Sequence, residues 1–312
     1  MAIQWYPGHM AKARRALEGS MPAQDVVIEV LDARLPMSSQ NPVLAELRGK
    51  KPCIRVLAKS DLADPRATDA WLRRLEVDGA VDHAGQVVTM ASTTERGADP
   101  SARLLQLCAR LAPRPAGGLA RTRVIVVGIP NVGKSTLVNM LAKRRVAKVG
   151  DAPAVTKATQ QVELPNGILL SDNPGILWPK LDDEGAAWRL ALAGALPDTA
   201  HDFESVASSA ARLLLDRYPA LLAARYGVSP AADSPSALLL GIGRRRGCVR
   251  SGGVIDTHKA ADILIHDFRA GLLGRISLEL PQEHPPEEHP PGSPQEPSPD
   301  RPGRSPRPLK SV

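Results

Sequence analysis

The chain has 312 residues, which is long enough for one large domain or two of modest size. Its 40 basic and 33 acidic residues give a net charge of +7, which favours a polyanionic partner, with a solvated basic surface as the alternative. Three widely spaced cysteines exclude a disulfide framework. Because the sequence shows neither a secretory signal nor a run of about 18 apolar residues, it predicts a soluble, cytoplasmic protein with no membrane contact.

Strand and helix patterns alternate along the first part of the chain. Apolar runs predict buried strands at residues 26–31, 53–57, 86–90, 123–127 and 167–170. Apolar residues at helical spacing predict helices around residues 69–75, 101–111 and 134–141. Because parallel strands are commonly joined by crossover helices, this alternation predicts an α/β fold with a mostly parallel sheet and helices on both faces.

The second part of the chain has a different character. Beyond about residue 182, Ala and Leu dominate, residues 206–222 have helical spacing, and Asp256 is placed to cap a helix that includes Arg269. Residues 281–312 are rich in proline, nearly lack apolar residues, and cannot bury a core. The sequence therefore predicts an α/β domain over residues 1–181, a small all-helical domain over residues 182–280 and a disordered tail over residues 281–312.

A glycine-rich loop follows the most strand-like run. Residues 128–135 read GIPNVGKS and match the pattern G-x-x-x-x-G-K-[ST], in which the glycines let backbone N–H groups point at phosphate oxygens. Lys134 supplies positive charge to the β- and γ-phosphates, and the Ser135 hydroxyl is a ligand for Mg²⁺. With a strand before it and a helix after it, the motif predicts a site for a magnesium–nucleoside triphosphate. The other nucleotide-binding residues predicted in and beside the loop are Asn131, Val132, Gly133 and Thr136.

A second motif, Asp172-Asn-Pro-Gly175, follows the strand predicted at residues 167–170. An aspartate at such a strand end can hold Mg²⁺ through water, and the glycine N–H can contact the γ-phosphate. Alone, D-x-x-G usually marks only a turn, but its place after the glycine-rich loop favours the nucleotide site. Between the two motifs, Thr156 could complete the metal shell or be an ordinary loop hydroxyl.

Residues 58–61 read AKSD and resemble the guanine-recognition box N-K-x-D. The Asp61 carboxylate can accept hydrogen bonds from two neighbouring N–H donors of guanine, and the Lys59 stem can cover the base. Ala91 and Ser92 lie where a backbone N–H would meet guanine O6. Ala58 replaces the usual asparagine, whose amide braces neighbouring loops, so guanine affinity or specificity is expected to be weaker.

The order of these motifs differs from that of ordinary P-loop GTPases, in which the phosphate loop comes first. Here Lys59 and Asp61 precede the phosphate loop, and Asp172 comes last. This order predicts a circularly permuted P-loop GTPase domain followed by a helical domain. Since the chain leaves the GTPase domain directly after the loop that senses the γ-phosphate, nucleotide state could move the helical domain.

The permuted order, the GIPNVGKSTLVN stretch and the segments at residues 3–12, 172–180 and 267–274 resemble the RbgA/YlqF family of ribosome biogenesis GTPases. The resemblance covers about residues 1–280 and implies a GTPase that binds the precursor of the large ribosomal subunit, promotes its late maturation and is released on GTP hydrolysis. It also implies that the helical domain contacts ribosomal RNA. Two basic clusters are candidates for RNA contact: Arg244, Arg245 and Arg246 in the helical domain, which the resemblance favours, and Lys143, Arg144, Arg145 and Lys148. A monomer is expected.

Catalysis departs from the pattern of small GTPases, because Ile176 follows Gly175 and cannot orient a water molecule. The resemblance points to His9 as the water-orienting residue, with Lys134 as the other catalytic residue. Asn131 resembles the asparagine that coordinates K⁺ in potassium-stimulated GTPases. The alternative is an RNA-binding module with a regulatory GTP site and negligible turnover, whereas an ATPase or metabolic kinase lacks support from residues 59–61.

Overall fold

The computed structural model describes residues 8–81, 86–93, 99–113, 121–146, 160–164, 167–178, 183–227 and 234–284, without the side chains of residues 9, 80 and 81. Within these ranges no helix is both long enough and apolar enough to cross a bilayer. Thr156 and most of the predicted tail lie outside the described residues.

A twisted sheet of six strands forms the first domain in the described part of the chain. The strands are β1 (Val26–Asp32), β2 (Cys53–Ala58), β3 (Val87–Ala91), β4 (Thr122–Val127), β5 (Gln160–Leu164) and β6 (Ile168–Asp172). Their order in the sheet is β3-β2-β1-β4-β6-β5, and all neighbours are parallel except β5 and β6. The strand that precedes the phosphate loop, β4, therefore lies in the middle of the sheet, as its run of buried valine and isoleucine predicts.

Helices cover both faces of this sheet. They are α1 (Gly8–Ser20), α2 (Pro42–Arg48), α3 (Pro65–Val81), α4 (Ser101–Leu111) and α5 (Lys134–Ala142). Because side chains alternate along a strand, Val27 and Ile125 pack with residues of α1 and α2, whereas Ile28 and Val126 belong to the cluster that includes α4 and α5. The predicted mostly parallel sheet with helices on both faces is confirmed.

The second domain is helical in the residues that the structure describes. Its helices are α6 (Glu184–Leu192), α7 (Phe203–Arg217), α8 (Pro219–Tyr226), α9 (Pro235–Arg245) and α10 (Thr257–Arg269). The predicted helical stretch at residues 206–222 is divided between α7 and α8, because Pro219 has no N–H to donate and instead begins a new helix. Asp256 caps α10, as predicted, by accepting a hydrogen bond from the Lys259 N–H.

After α10 the chain returns to the first domain. Two backbone hydrogen bonds join the segments, from Ile276 N to Leu62 O at 2.9 Å and from Leu278 N to Arg34 O at 2.7 Å. The buried Glu279 carboxylate accepts hydrogen bonds from the backbone N–H groups of residues 37 and 38. Residues 276–280, which the sequence groups with the helical domain, thus make these hydrogen bonds to the α/β domain.

Candidate functional site

The carboxyl ends of the parallel strands meet at one edge of the sheet. Register pairs Asp32 with Ala58, Leu57 with Ala91, and Val126 with Asp172. The loops that follow these strands carry the predicted base-recognition residues, the phosphate loop and the D-x-x-G motif. In open α/β sheets ligands bind at this edge, so the topology gathers the predicted motifs into one site.

The phosphate loop, residues 128–135, requires glycine at two backbone positions. Gly128 has a φ of +149°, and a Cβ there would lie 2.5 Å from the Val30 carbonyl oxygen of β1. Gly133 has a φ of +110° and immediately precedes α5, which begins at Lys134. The loop therefore leads directly into the N-terminus of a helix, where backbone N–H groups and the helix dipole favour an anion.

Lys134 and Asp172 are buried charged residues at the start of α5 and the end of β6. Lys134 Nζ donates a hydrogen bond of 2.6 Å to the Ile129 carbonyl oxygen. Burial is the main cause that lowers the pKa of Lys134 to about 8; the Asp172 charge opposes this shift and the Lys59 charge adds to it. Burial likewise raises the pKa of Asp172, an effect that the Lys134 charge only partly offsets. Both charges lie in a region poor in water, where they interact strongly with an added ion.

The surroundings of the Asp172 carboxylate are those expected of a metal ligand. Both of its oxygens are buried and lack a hydrogen-bonding partner in the described part of the chain. A buried carboxylate without a donor is costly, and a hydrated divalent cation would supply the missing partners. Ser135, the second predicted ligand, follows Lys134 in the first turn of α5.

Gly175 passes very close to the phosphate loop. A Cβ at this position would lie 2.6 Å from Pro130 N and 2.8 Å from Lys134 Nζ, so only glycine permits the approach. The next residue, Ile176, is buried, and its carbonyl oxygen accepts a hydrogen bond of 2.8 Å from Asn41 Nδ2. Its apolar side chain packs in the core beneath α1 and α2, consistent with its predicted inability to orient water.

The guanine-box loop lies against the phosphate loop. Lys59 Nζ donates hydrogen bonds to Asp32 Oδ2 at 3.0 Å and to Asn131 O at 2.7 Å. Ser60 Oγ donates to Ser92 O at 3.0 Å, so the two predicted base-recognition segments are joined. The Ser92 N–H donates to Leu57 O at 2.8 Å.

Two other predicted residues contact segments from the helical side of the chain. The Asp61 carbonyl oxygen accepts a hydrogen bond of 3.1 Å from Arg275 Nε. Asn131 Nδ2 donates to the Gly194 carbonyl oxygen at 2.8 Å, just beyond the end of α6. The proposed K⁺ ligand is thereby tied to the helical domain. Val132 is buried in the core, Thr136 lies in the first turn of α5, and Ala91 ends β3.

The arginines predicted to contact RNA are exposed at the end of α9. Arg246 lies 3.6 Å from Asp267, and its guanidinium stands 5.7 Å from the centre of the Tyr226 ring. Arg244 and Arg245 are the last two residues of α9, where the helix dipole stabilises positive charge. His9 lies in the first turn of α1, but its side chain is outside the described residues.

Sequence reasoning missed three residues that the structure brings into the site. Asp32 and Arg34 follow β1, and Arg34 holds the Asp32 carboxylate through Nε–Oδ1 and Nη2–Oδ2 hydrogen bonds of 3.0 and 2.9 Å. The signal was an acidic residue at the carboxyl end of a buried strand, next to the strand that ends at Ala58. Asn41 was also missed, although an asparagine before proline is typical of a helix N-cap.

Comparison with known proteins identifies similar chains along nearly the whole length. A family model described as a 50S ribosome-binding GTPase matches residues 123–213. The ribosome biogenesis GTPase A of Bacillus licheniformis is 40% identical over 290 residues, which cover 91% of this chain and 100% of the relative. The mitochondrial ribosome-associated GTPase 1 of Mus musculus is 31% identical over 296 residues, which cover 88% of this chain and 90% of the relative.

Two solved structures have a fold similar to that of this chain. A GDP-bound YlqF structure matches with a TM-score of 0.61 and 28% identity, covering 86% of this chain and 100% of that one. The GNP-bound YlqF of Thermotoga maritima matches with a TM-score of 0.59 and 28% identity, covering 87% and 99%. These similarities confirm the predicted circularly permuted P-loop GTPase fold and extend through the helical domain.

Proposed function

The chain belongs to the ribosome biogenesis GTPase A family, and from that membership we propose that it is a GTP-hydrolysing factor in the assembly of the large ribosomal subunit. In this proposal it binds the precursor of that subunit while GTP is bound, promotes its late maturation, and leaves after hydrolysis. The expected cofactor is Mg²⁺, with K⁺ as a stimulating ion. The protein acts as a monomer in the cytoplasm.

The observation that carries the enzymatic part is the group formed by Lys134, Asp172 and Gly175. Lys134 would supply charge to the β- and γ-phosphates. The buried Asp172 carboxylate, which has no hydrogen-bonding partner among the described residues, would hold the hydrated metal together with Ser135 and Thr156. Mg²⁺, when bound, neutralises charge on the phosphate oxygens. Gly175 lies near enough to the phosphate loop for its N–H to report the γ-phosphate.

Hydrolysis needs a group that orients water, and the residue after Gly175 does not provide one. Ile176 is buried in the core with its carbonyl oxygen bound by Asn41. We therefore assign this role to His9, near the start of α1, and assign the K⁺ site to Asn131. The same burial of Ile176 favours a second candidate function, an RNA-binding module whose GTP site regulates affinity with negligible turnover.

Guanine recognition is assigned to the loops after β2 and β3. Asp61 accepts from the base, Lys59 covers it, and the backbone at Ala91 faces O6. The N–H of Ser92, the other predicted donor, is already bound to the Leu57 carbonyl oxygen. The two hydrogen bonds that Ser60 donates to the Ser92 carbonyl oxygen, from its hydroxyl and from its backbone N–H, support a single, preformed base pocket. Asp61→Asn is expected to weaken GTP binding by more than about 2 kcal/mol, since a charge-assisted bidentate contact is lost.

The ribosomal part of the proposal has two supports. The names of relatives that align over about nine tenths of this chain place those proteins at the ribosome or its assembly. The chain also carries a net charge of +7, and Arg244, Arg245 and Arg246 form an exposed basic cluster. Contacts from such a cluster go mainly to phosphates, so they fall with rising salt.

Co-sedimentation with purified large ribosomal subunits tests this function. The protein should sediment with large-subunit particles in a non-hydrolysable GTP analogue and much less in GDP, whereas the matching ATP analogue should give no retention. Arg244→Ala with Arg245→Ala should reduce retention and its salt dependence, while the control pair Arg103→Ala with Arg110→Ala on α4 should not. Retention that is independent of nucleotide would contradict the proposal.

A further inference from the structure

Asp32 is a buried charge that the proposed GTPase chemistry leaves without a role. It ends β1 at the edge of the sheet where the motifs gather, and its side chain is 2% exposed. Burial alone would raise the pKa of Asp32, but the charges of Arg34 and Lys59 more than offset burial and hold it well below its usual range. Asp32 is therefore an ionised side chain buried at the edge of the sheet that carries the predicted nucleotide-binding motifs.

This anion is held rigidly on one side. Arg34 binds both carboxylate oxygens, and the Arg34 N–H donates to Oδ1 at 3.0 Å. Arg34 is itself fixed, because its Nη1 donates to the Phe268 carbonyl oxygen at 3.3 Å and its guanidinium stacks 4.5 Å from the Phe268 ring centre. Asp32 thus presents a fixed oxygen to any cation on its other side.

The cation on that side is Lys59, which spans two loops. Its Nζ binds Asp32 Oδ2 at 3.0 Å and the phosphate-loop carbonyl of Asn131 at 2.7 Å. Lys59 and Asn131 both have left-handed backbones, with φ of +59° and +55°, which non-glycine residues adopt at an energetic cost. Strained residues persist where surrounding contacts hold them, so the bridge joins two loops kept in an unfavourable shape.

Ala58 makes such a bridge more important. Its methyl group lies 3.3 Å from the position that a Cβ would take at Gly133, so the strand end packs directly against the phosphate loop. The alanine side chain has no donor or acceptor with which to connect the loops, unlike the asparagine of the usual N-K-x-D box. The Asp32–Lys59 ion pair and its bond to Asn131 O supply a polar connection at the same junction.

We propose that Asp32 is a positioning residue for guanine-nucleotide binding, which holds Lys59 across the phosphate loop in place of the missing asparagine side chain at position 58. The inference rests on the proposed binding of GTP and GDP at this site. Asp32 does not touch the nucleotide; it fixes the angle between the loop that binds phosphates and the loop that binds the base. Its removal should therefore weaken GDP and GTP equally.

Nucleotide affinities of variants test the assignment. Asp32→Asn and Lys59→Met should each weaken GDP binding about 10- to 100-fold, the range for a lost charge-assisted hydrogen bond. Because the two side chains act as one unit, the double variant should lose no more GDP affinity than the single variant that binds GDP more weakly. Adding Ala58→Asn to Asp32→Asn should restore at least a tenfold part of the loss, and the same change in the parent should have little effect.

Controls separate positioning from folding. Asp25→Asn, at the opposite end of β1, should leave GDP affinity unchanged. Thermal unfolding should show that the Lys59→Met protein is folded, even if the Asp32→Asn protein is not. Unchanged affinity in a folded Lys59→Met protein, additive losses in the double variant, or no rescue by Ala58→Asn would overturn the positioning role. A parent protein that binds ADP as well as GDP would instead overturn the proposed function.

Discussion

The buried Lys134 gives nucleotide binding a pH dependence that can be calculated. In the nucleotide-free protein burial lowers its pKa from 10.5 to about 8. Phosphate oxygens placed beside Nζ favour the charged form and return the pKa towards its ordinary value. Binding therefore takes up a proton when the pH exceeds about 8, and affinity must fall as the pH rises through that value.

The size of the effect follows from the two protonation states. At pH 9 about nine tenths of Lys134 is neutral in the free protein, whereas nearly all is charged in the complex, so GDP affinity should be about eightfold lower than at pH 7.5. The stability of the free protein should change in the opposite direction. Since the folded state holds this proton less tightly than the unfolded state, unfolding free energy should rise by up to about 3 kcal/mol between pH 8 and 10.5.

Isothermal titration calorimetry can measure both affinity and proton uptake. In buffers of different ionisation enthalpy, GDP binding at pH 9 should take up about 0.9 proton, against about 0.1 at pH 7. Lys134→Arg is the matched control, because its guanidinium stays charged throughout and leaves only the ionisations of GDP itself, at the terminal phosphate and at guanine. Equal proton uptake by the parent and the arginine variant, or an affinity that does not change between pH 7.5 and 9, would show that Lys134 does not take up a proton on binding.

Three further changes test other parts of the molecule. Asp172→Asn should abolish the Mg²⁺ dependence of GTP affinity, measured by titration with and without the metal; a retained dependence would remove Asp172 from the metal site. Asp267 has a lowered pKa because the hydrogen bonds from Arg225 and Tyr226 outweigh the effect of its burial. Its ionised carboxylate therefore stabilises the fold at pH values above its ordinary pKa of 3.8, and this stabilisation is lost as the pH falls through the lower pKa of the folded state. Asp267→Asn should cost about 2 kcal/mol at pH 7 and flatten the acid loss of thermal stability, and an unchanged acid profile would contradict this. Glu279→Ala should lower the unfolding free energy by about 2–4 kcal/mol, because buried N–H groups of residues 37 and 38 lose their acceptor, whereas Glu283→Ala, at a more exposed position, should cost less than about 1 kcal/mol.

Local patterns were sufficient for the fold and for the phosphate side of the site. The glycines at 128 and 133, Lys134 and the D-x-x-G motif each depend on chemistry within a few residues of a strand end. Since the carboxyl ends of parallel strands share one edge, their convergence could also be predicted without coordinates. The permuted order changes the connections between these strands and leaves the geometry of the edge intact.

Contacts between distant residues could not be predicted in this way. The bridge from Lys59 to Asp32 and Asn131 depends on three loops, and the pairing of Asn131 with Gly194 depends on where the helical domain lies. The burial of Glu279 likewise follows from the return of the chain to the α/β domain. None of these contacts has a sequence period or motif, because each partner is an ordinary residue until tertiary structure brings it near.

The roles of His9, Thr156 and Arg244 stay predictions. Thr156 concerns the metal site, His9 concerns the hydrolytic step, and Arg244 concerns the contact with RNA. The phosphate loop and its surroundings form the predicted nucleotide site, and the exposed basic cluster is the proposed RNA contact. Coupling of GTP turnover to the ribosome would require both.

Steady-state GTP hydrolysis in K⁺ and Mg²⁺, with and without large-subunit particles, measures whether the ribosome controls turnover at this site. We expect slow hydrolysis by the protein alone, strong stimulation by large subunits, little stimulation by small subunits, and no comparable activity with ATP. Hydrolysis that large subunits do not accelerate, or that proceeds equally with ATP, would contradict this expectation.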